Sequence, residues 1–212
     1  LIINSLVIFS STDYTLIKTD YNLDYGLHSD LALLLSTSGS TGKPKLVRQS
    51  YKNIYSNANS IASYLSITSD DRPITTMPMA YSYALSIINS HLLKGASIIL
   101  NDLTLMDRGF WQLTKKKKAT TFGGVPFIYE MLKKLGFANM DLPSLRYITQ
   151  AGGKLDPELS AEFVDICLQK NMKFYVMYGQ TEASPRMSYL PWEFARIKLG
   201  SIGIPIAAAE AN

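Results

Sequence analysis

An α/β chain with a mainly parallel β-sheet covered by helices is predicted by two regularities of the sequence. Short apolar segments alternate with segments of helical period between residues 74 and 177, and glycines break the chain directly after several of the apolar segments. Strands separated by helices of about ten or more residues form crossover units, which bury a parallel sheet between helical layers. Ligands of such sheets sit beyond the carboxyl ends of the strands, so the glycine breaks are where function is sought.

Leu31-Ala32-Leu33-Leu34-Leu35 is an apolar run of strand length, interrupted by residues 36–45. Ser50 suits a helix N-cap, and Ile54, Ala58, Ile61, Ala62 and Leu65 recur behind it at helical spacing. Residues 74–77 read as a short strand, 83–94 as a helix stopped by Gly95, and 96–100 as a strand. A helix over 107–118 ends on Lys115, Lys116, Lys117 and Lys118, read as a hydrated terminus that complements the helix dipole rather than as an anion patch. A strand over 119–122 leads into Gly123-Gly124-Val125-Pro126, and Pro126 opens a helix over 127–135. The theme repeats with strand 145–149, helix 157–170 and strand 174–177. No internal repeat interrupts this order, and one continuous domain is expected.

A content of 47% apolar and 18% charged residues excludes a disordered chain, and a net charge of +4 is too modest to imply nucleic-acid binding. A chain of this length buries roughly 70% of its unfolded surface, so a sizeable core is expected. Cys167, the single cysteine, shares an apolar face with Leu159, Phe163 and Ile166 and is read as a core residue. A lone thiol makes no disulfide within the chain, which agrees with a reducing compartment. Residues 1–9 are apolar but too few to span a bilayer, and they lack the basic start of a secretory signal. A cytoplasmic protein without a membrane span is therefore expected. The chain opens on Leu1 rather than methionine, so further sequence is expected to precede it.

Ser36-Thr37-Ser38-Gly39-Ser40-Thr41-Gly42-Lys43-Pro44-Lys45 joins backbone N–H donors, hydroxyls and positive charge, the combination a polyphosphate needs. A Walker A loop does not fit: that loop has four residues before its Gly-Lys-Ser/Thr and runs into a helix. Here Ser40 and Thr41 alone separate Gly39 from Gly42, and Pro44 follows Lys43. A plain Ser/Gly/Thr connector is the competing reading of the loop by itself.

The segment over 36–45 resembles the phosphate loop of the adenylate-forming, AMP-binding enzymes: acyl-CoA synthetases, peptide-synthetase adenylation domains and luciferases. Leu46 stands where that pattern usually has glycine. Tyr175-Val176-Met177-Tyr178-Gly179-Gln180-Thr181-Glu182 resembles the same superfamily's Tyr-Gly-x-Thr-Glu motif, with Val176 in place of its usual asparagine. Ala151-Gly152-Gly153-Lys154-Leu155 resembles the glycine pair beside the adenine, and Gly200-Ser201-Ile202-Gly203-Ile204-Pro205 the Gly-Ser-x-Gly-x-Pro stretch. Matches in family order across residues 31–206 argue against chance and against the connector.

The resemblance implies the large N-terminal domain of such an enzyme. It also implies ATP-dependent conversion of a carboxylic acid to an acyl-adenylate with pyrophosphate release, followed by thioester formation as in acid:CoA ligases. ATP or AMP would be held by Thr37, Ser38, Gly39, Ser40, Thr41, Gly42, Lys43, Lys45, Gly152, Gly153, Lys154, Tyr178, Gly179, Gln180 and Thr181. Lys45 ranks above Lys43, and Lys45, Thr181 and Glu182 would be the catalytic groups. Glu182 would help hold Mg²⁺, with ATP and water oxygens completing its shell. Met79, Tyr81, Ser82, Gly124, Val125 and Pro126 would border the acyl pocket, Tyr81 standing where many acyl-CoA synthetases have histidine. His91 is read as a packed or surface residue.

CoA, a carrier-protein phosphopantetheine, or no thiol at all is compatible as acceptor, and the acid is not specified. The Thr-Gly-Asp segment that grips the ribose and the lysine of the C-terminal lid domain have no counterpart by motif. Residues 1–212 are thus expected to be an incomplete N-terminal AMP-binding domain lacking the lid. A non-catalytic nucleotide-binding or regulatory domain of the same fold, and an unrelated P-loop NTPase, are the competing functions.

Overall fold

The computed structural model describes residues 5–10, 15–19, 26–37 and 45–207. The chain divides into two compact units, Leu1–Leu31 and Ala32–Asn212. In the first, β1 (Ser5–Ser10) and β2 (Thr15–Thr19) pair antiparallel, with a register shift between Val7 and Phe9.

Next along the chain, β3 (Leu31–Thr37) and β4 (Lys45–Ser50) pair in a two-stranded sheet. Ser50 then caps α1 (Tyr51–Tyr64) as its sequence context predicts. Its hydroxyl accepts from Asn53 N at 3.1 Å while the Asn53 side chain accepts from Ser50 N, a reciprocal capping box. α2 (Ser82–Leu93) and α3 (Arg108–Lys116) precede a five-stranded sheet built from β5 (Thr121–Gly124), β6 (Tyr147–Gln150), β7 (Lys173–Tyr178), β8 (Ser188–Leu190) and β9 (Ile204–Pro205), in that order across the sheet. α4 (Pro126–Lys134) crosses from β5 to β6 and α5 (Pro157–Gln169) from β6 to β7. Asp156 caps α5, accepting from Glu158 N at 2.9 Å and Leu159 N at 3.0 Å, and Pro157 fills the first helical turn, where its missing N–H is no loss.

β5, β6 and β7 are parallel, with Gly124 opposite Gln150 and Gln150 opposite Val176. Successive side chains of a strand point to opposite faces, and both faces here are apolar. Phe122, Ile148 and Phe174 enter one layer with Phe110, Tyr129, Leu132, Phe137, Phe163 and Cys167. Tyr147, Tyr175 and Met177 enter the other with Ile61, Ala62, Leu65 and Tyr83. Each fully buried side chain of this size contributes about 1.5–3 kcal/mol. Cys167 is 1% exposed, and burial pushes its thiol up to about 12, which fits the core role read from the sequence. His91 is packed: Nδ1 donates to Ile87 O at 2.7 Å, which leaves Nε2 to accept from the Tyr147 hydroxyl at 3.1 Å.

The segments expected as strands over 74–77 and 96–100 are reduced to single parallel bridges, Pro73 to Thr121 and Ile74 to Ile99. Thr75 ends the ladder locally, because its carbonyl accepts from Asn101 Nδ2 at 2.9 Å and its hydroxyl from Asn101 N at 3.1 Å. β5 extends through Gly123 and Gly124, which the sequence suggested would already be loop. A Cβ on Gly123 would meet Ile87 Cδ1 at 2.7 Å and the Tyr83 hydroxyl at 2.8 Å, so glycine here permits close strand–helix packing. β8 and β9 were not expected; they pair antiparallel at the edge and are too short to show a period. The four lysines lie where a hydrated helix end would put them, Lys115 and Lys116 in the last turn of α3, with Lys115 paired to Asp141 at 2.9 Å. Among the described residues no helix is long and apolar enough to cross a membrane.

Candidate active site

Because β5, β6 and β7 are parallel, their carboxyl ends open on one edge of the sheet, and three of the segments singled out in the sequence, 124–126, 152–153 and 178–182, lie there. β5 delivers Gly124, Val125 and Pro126; β6 delivers Gly152 and Gly153; β7 delivers Tyr178 and Gly179. The chain rises from Gln150 into Ala151, whose N–H donates to Gly124 O at 3.2 Å.

Gly152 has φ +78°, and an added Cβ would run into the Tyr81 hydroxyl and approach Val125 Cγ1 to 3.0 Å. Gly153 lies against Pro126, where a Cβ would meet Cγ at 3.0 Å, and its carbonyl accepts from Gln150 Nε2 at 2.7 Å. The glycines expected beside adenine and the residues Tyr81, Val125 and Pro126 expected beside the acid therefore share one wall. Tyr81 is the N-cap residue of α2, held edge-on to Tyr83 at 6.3 Å between ring centroids. Tyr83 in turn donates to Thr149 O at 2.9 Å, which fixes α2 against the end of β6.

Tyr178 ends β7 with 43% of its surface exposed. Met187 N donates to Tyr178 O at 2.8 Å, which closes the segment 179–186 into a loop. Gly179 sits so close to Pro185 that a Cβ would overlap the Pro185 carbonyl. Inside the loop a single 3-10 turn, Thr181–Ala183, carries Thr181 and Glu182.

Thr181 is tied on two sides. Its hydroxyl lies 3.0 Å from Ser82 Oγ at the start of α2, and its carbonyl accepts from Gln49 Nε2 at 2.8 Å. Ser82, expected only as a pocket residue, is thus also an anchor of the turn. Gln49 is buried in β4, the strand that follows the expected phosphate loop, so that strand and the Thr181 turn meet directly. Gln180, Glu182 and Lys154 are exposed, Lys45 is exposed at the start of β4, Thr37 is half-buried at the end of β3, and Met79 is 55% exposed. Ser38, Gly39, Ser40, Thr41, Gly42 and Lys43 lie outside the described residues. The loop leads into strand β4, whereas a Walker A loop leads into a helix, which argues against the P-loop reading.

Gln49, Ser86 and Arg186 escaped the sequence reading. Gln49 bonds Thr181 and Ser86 bonds Arg186 across a hundred residues or more of chain, and no local pattern marks such a contact.

Residues 20–212 match the family model described as AMP-binding enzyme. The chain belongs to the AMP-binding enzyme family. A feruloyl-CoA synthase from Amycolatopsis sp is 30% identical over 187 residues, covering 87% of this chain and 37% of that protein. A 2-succinylbenzoate–CoA ligase of Bacillus subtilis (strain 168) is 29% identical over 179 residues, covering 84% and 35%. Among solved structures, the N-terminal domain of FACL13 from Mycobacterium tuberculosis superposes with TM-score 0.73 at 26% identity, covering 84% of this chain and 44% of that one. O-succinylbenzoate coenzyme A synthetase from Bacillus subtilis, solved in complex with AMP, gives 0.73 at 29% identity, covering 84% and 36%. The chain therefore spans somewhat over a third of the length of the curated relatives it matches, and its α/β fold is that of the N-terminal domains of adenylate-forming enzymes.

Proposed function

We propose that this chain is the nucleotide-holding part of an AMP-forming acid–thiol ligase, an incomplete N-terminal AMP-binding domain across 1–212 that works with the rest of such an enzyme. The observation that carries the reading is Thr181, fixed between Ser82 and Gln49 at the carboxyl end of β7 beside an exposed Tyr178 and the bare backbone of Gly152 and Gly153. The fit is chemical as well as positional. A hydroxyl set by Ser82 on a residue whose carbonyl is held by Gln49 is pre-oriented toward an anion, and a glycine pair lets a purine approach the backbone closely. The relatives are named CoA ligases, and one of the similar B. subtilis structures is in complex with ATP and magnesium ion.

In the proposed reaction the substrate carboxylate attacks the α-phosphorus of ATP, the bond from that phosphorus to the bridging oxygen breaks, and pyrophosphate leaves with the electron pair. A thiol then attacks the acyl carbon and releases AMP. Thr181 donates to the α-phosphate, Lys45 and the donors of residues 38–43 hold the leaving pyrophosphate, and Tyr178 lies against the adenine. Aromatic–base stacking of this kind contributes about 1–3 kcal/mol in nucleic-acid sites. Tyr81, Ser82, Met79, Gly124, Val125 and Pro126 enclose the carboxylic acid. Glu182 would help hold Mg²⁺, which when bound would supply the neutralisation of phosphate charge that lets two anions meet. Among the described residues no three His, Cys, Asp or Glu side chains gather to hold a metal, so metal binding depends on the nucleotide supplying oxygens.

Two measurements test the reading. Carboxylate-dependent exchange of labelled pyrophosphate into ATP by the full reading frame, surveyed over a panel of acids, is the expected activity; release of ADP without exchange would contradict it. Glu182→Gln is expected to leave the apo melting temperature unchanged, because the side chain is exposed, and to shrink the extra stabilisation given by Mg·ATP. A variant with the wild-type ligand-dependent shift would remove Glu182 from the metal role.

A further inference from the structure

Among the described residues Arg186 is a buried cation without an acidic partner. It is 1% exposed, and its guanidinium is met by neutral groups: Nε donates to Ser86 Oγ at 3.0 Å, and Nη1 to the Tyr64 hydroxyl at 3.2 Å and Met177 Sδ at 3.4 Å. The Tyr83 ring lies beneath it, 5.1 Å from the guanidinium carbon to the ring centroid. The ion pairs among the described residues do not include it. A charge in such a place is costly, and apolar residues of similar volume commonly replace it without loss of stability. Packing alone gives no reason for arginine.

Its position in the chain supplies one. Ser82 and Ser86 lie one turn apart on α2; Ser82 bonds Thr181 and Ser86 bonds Arg186, so both ends of the segment 181–186 are fastened to the same helical face. The Arg186 carbonyl accepts from Asn57 Nδ2 at 3.1 Å on α1, and Met177 belongs to β7, which delivers Tyr178. Tyr83, under the guanidinium, holds Thr149 just before Gly152 and Gly153. One side chain therefore joins α1, α2, β7 and the Thr181 turn. Its charge is also weakly screened by salt, because field lines between a buried group and a nearby ligand run through low dielectric.

We propose that Arg186 is a positioning residue of the nucleotide site. It pins the Thr181–Glu182 turn to α2 through Ser86 and leaves beside that turn a positive charge that a bound polyphosphate offsets. The proposal deepens the nucleotide-site reading above and rests on it.

The test compares wild type, Arg186→Met, Arg186→Lys and Ser86→Ala, with apo melting followed by calorimetry and binding of Mg·ATP and AMP by isothermal titration. Arg186→Met is expected to melt at or above the wild-type temperature, since methionine suits the Met177, Tyr64 and Tyr83 surroundings, and to bind Mg·ATP at least tenfold more weakly. The loss for AMP, which carries less charge, is expected to be smaller, and Arg186→Lys is expected to recover part of the Mg·ATP affinity. Wild-type affinity in Arg186→Met overturns the proposal. So does an equal loss for both nucleotides that tracks a lowered melting temperature, the signature of a merely structural role. Should Arg186→Met fail to fold, Ser86→Ala decides: it keeps the charge and frees Nε, and Mg·ATP binding weakened severalfold at native melting supports the proposal, whereas unchanged binding overturns it. Wild-type protein that binds neither nucleotide would remove the nucleotide site itself, an outcome distinct from a silent Arg186.

Discussion

Gly179→Ala is expected to open the loop that carries Thr181 and Glu182 and to abolish Mg·ATP binding. The added Cβ would overlap the Pro185 carbonyl and come within 2.8 Å of Arg186 Cα. These are backbone atoms, so no side-chain rotation relieves the contact, and the loop must part from the end of β7. Overpacking ordinarily costs about 1–3 kcal/mol, and a clash against backbone belongs at the upper end, which for a domain of this size lowers the melting temperature by roughly 6–12 °C. Gly200→Ala is the matched control. Gly200 has φ +78° with no atom within 4 Å of its Cβ position, so alanine there meets only the strain of a left-handed conformation, about 1–2 kcal/mol, with no clash against backbone. Calorimetry of both variants, with Mg·ATP titration of each, checks the contrast. Wild-type melting and binding in Gly179→Ala would mean that the loop does not close on β7.

Acid is expected to weaken the fold through His91. Burial lowers its imidazole from the ordinary 6.5 to about 4; the Nδ1 bond to Ile87 O and the nearby Asp71 oppose that shift, while Arg186 and Arg146 reinforce it. The folded state thus holds His91 neutral at a pH where the unfolded chain protonates it. The unfolded state binds more protons between about pH 6.5 and 4, so stability is fully present above 6.5 and falls as the pH drops toward 4. The size is on the order of 3 kcal/mol for a shift of this magnitude in a group that is 2% exposed. Protonation also places an N–H where Nε2 had accepted from Tyr147. Urea unfolding midpoints measured from pH 7 to 4.5 should fall steadily in the wild type and less steeply in His91→Gln. Parallel slopes in the two proteins would assign the acid sensitivity elsewhere.

Much of the candidate site was legible because its residues come in runs. Gly152-Gly153 and Tyr178 to Glu182 each follow a strand whose apolar character is plain, and a parallel sheet brings such ends to one edge without further information. Helices were legible where local chemistry marks their starts, as Ser50 and Pro126 do. What escaped was set by tertiary contact. Thr75 looks like a strand residue, yet Asn101 takes its carbonyl; Gly123 looks like a loop residue, yet the closeness of Tyr83 and Ile87 keeps it in β5. The short β8 and β9 owe their pairing to the strand beside them. Gln49 and Arg186 are single polar residues in unremarkable sequence, and their roles exist only once β4, α2 and the Thr181 turn are brought together.

One edge of the sheet is expected to bind an adenine nucleotide by its base and its phosphates. Isothermal titration of this chain with ATP and with AMP, each in the presence and absence of Mg²⁺, measures it directly. Both nucleotides are expected to bind, with Mg²⁺ tightening ATP far more than AMP, because Glu182 would hold the ion together with the oxygens a polyphosphate supplies. Failure of both nucleotides to bind at millimolar concentration, or binding of ATP that ignores Mg²⁺, would contradict the account.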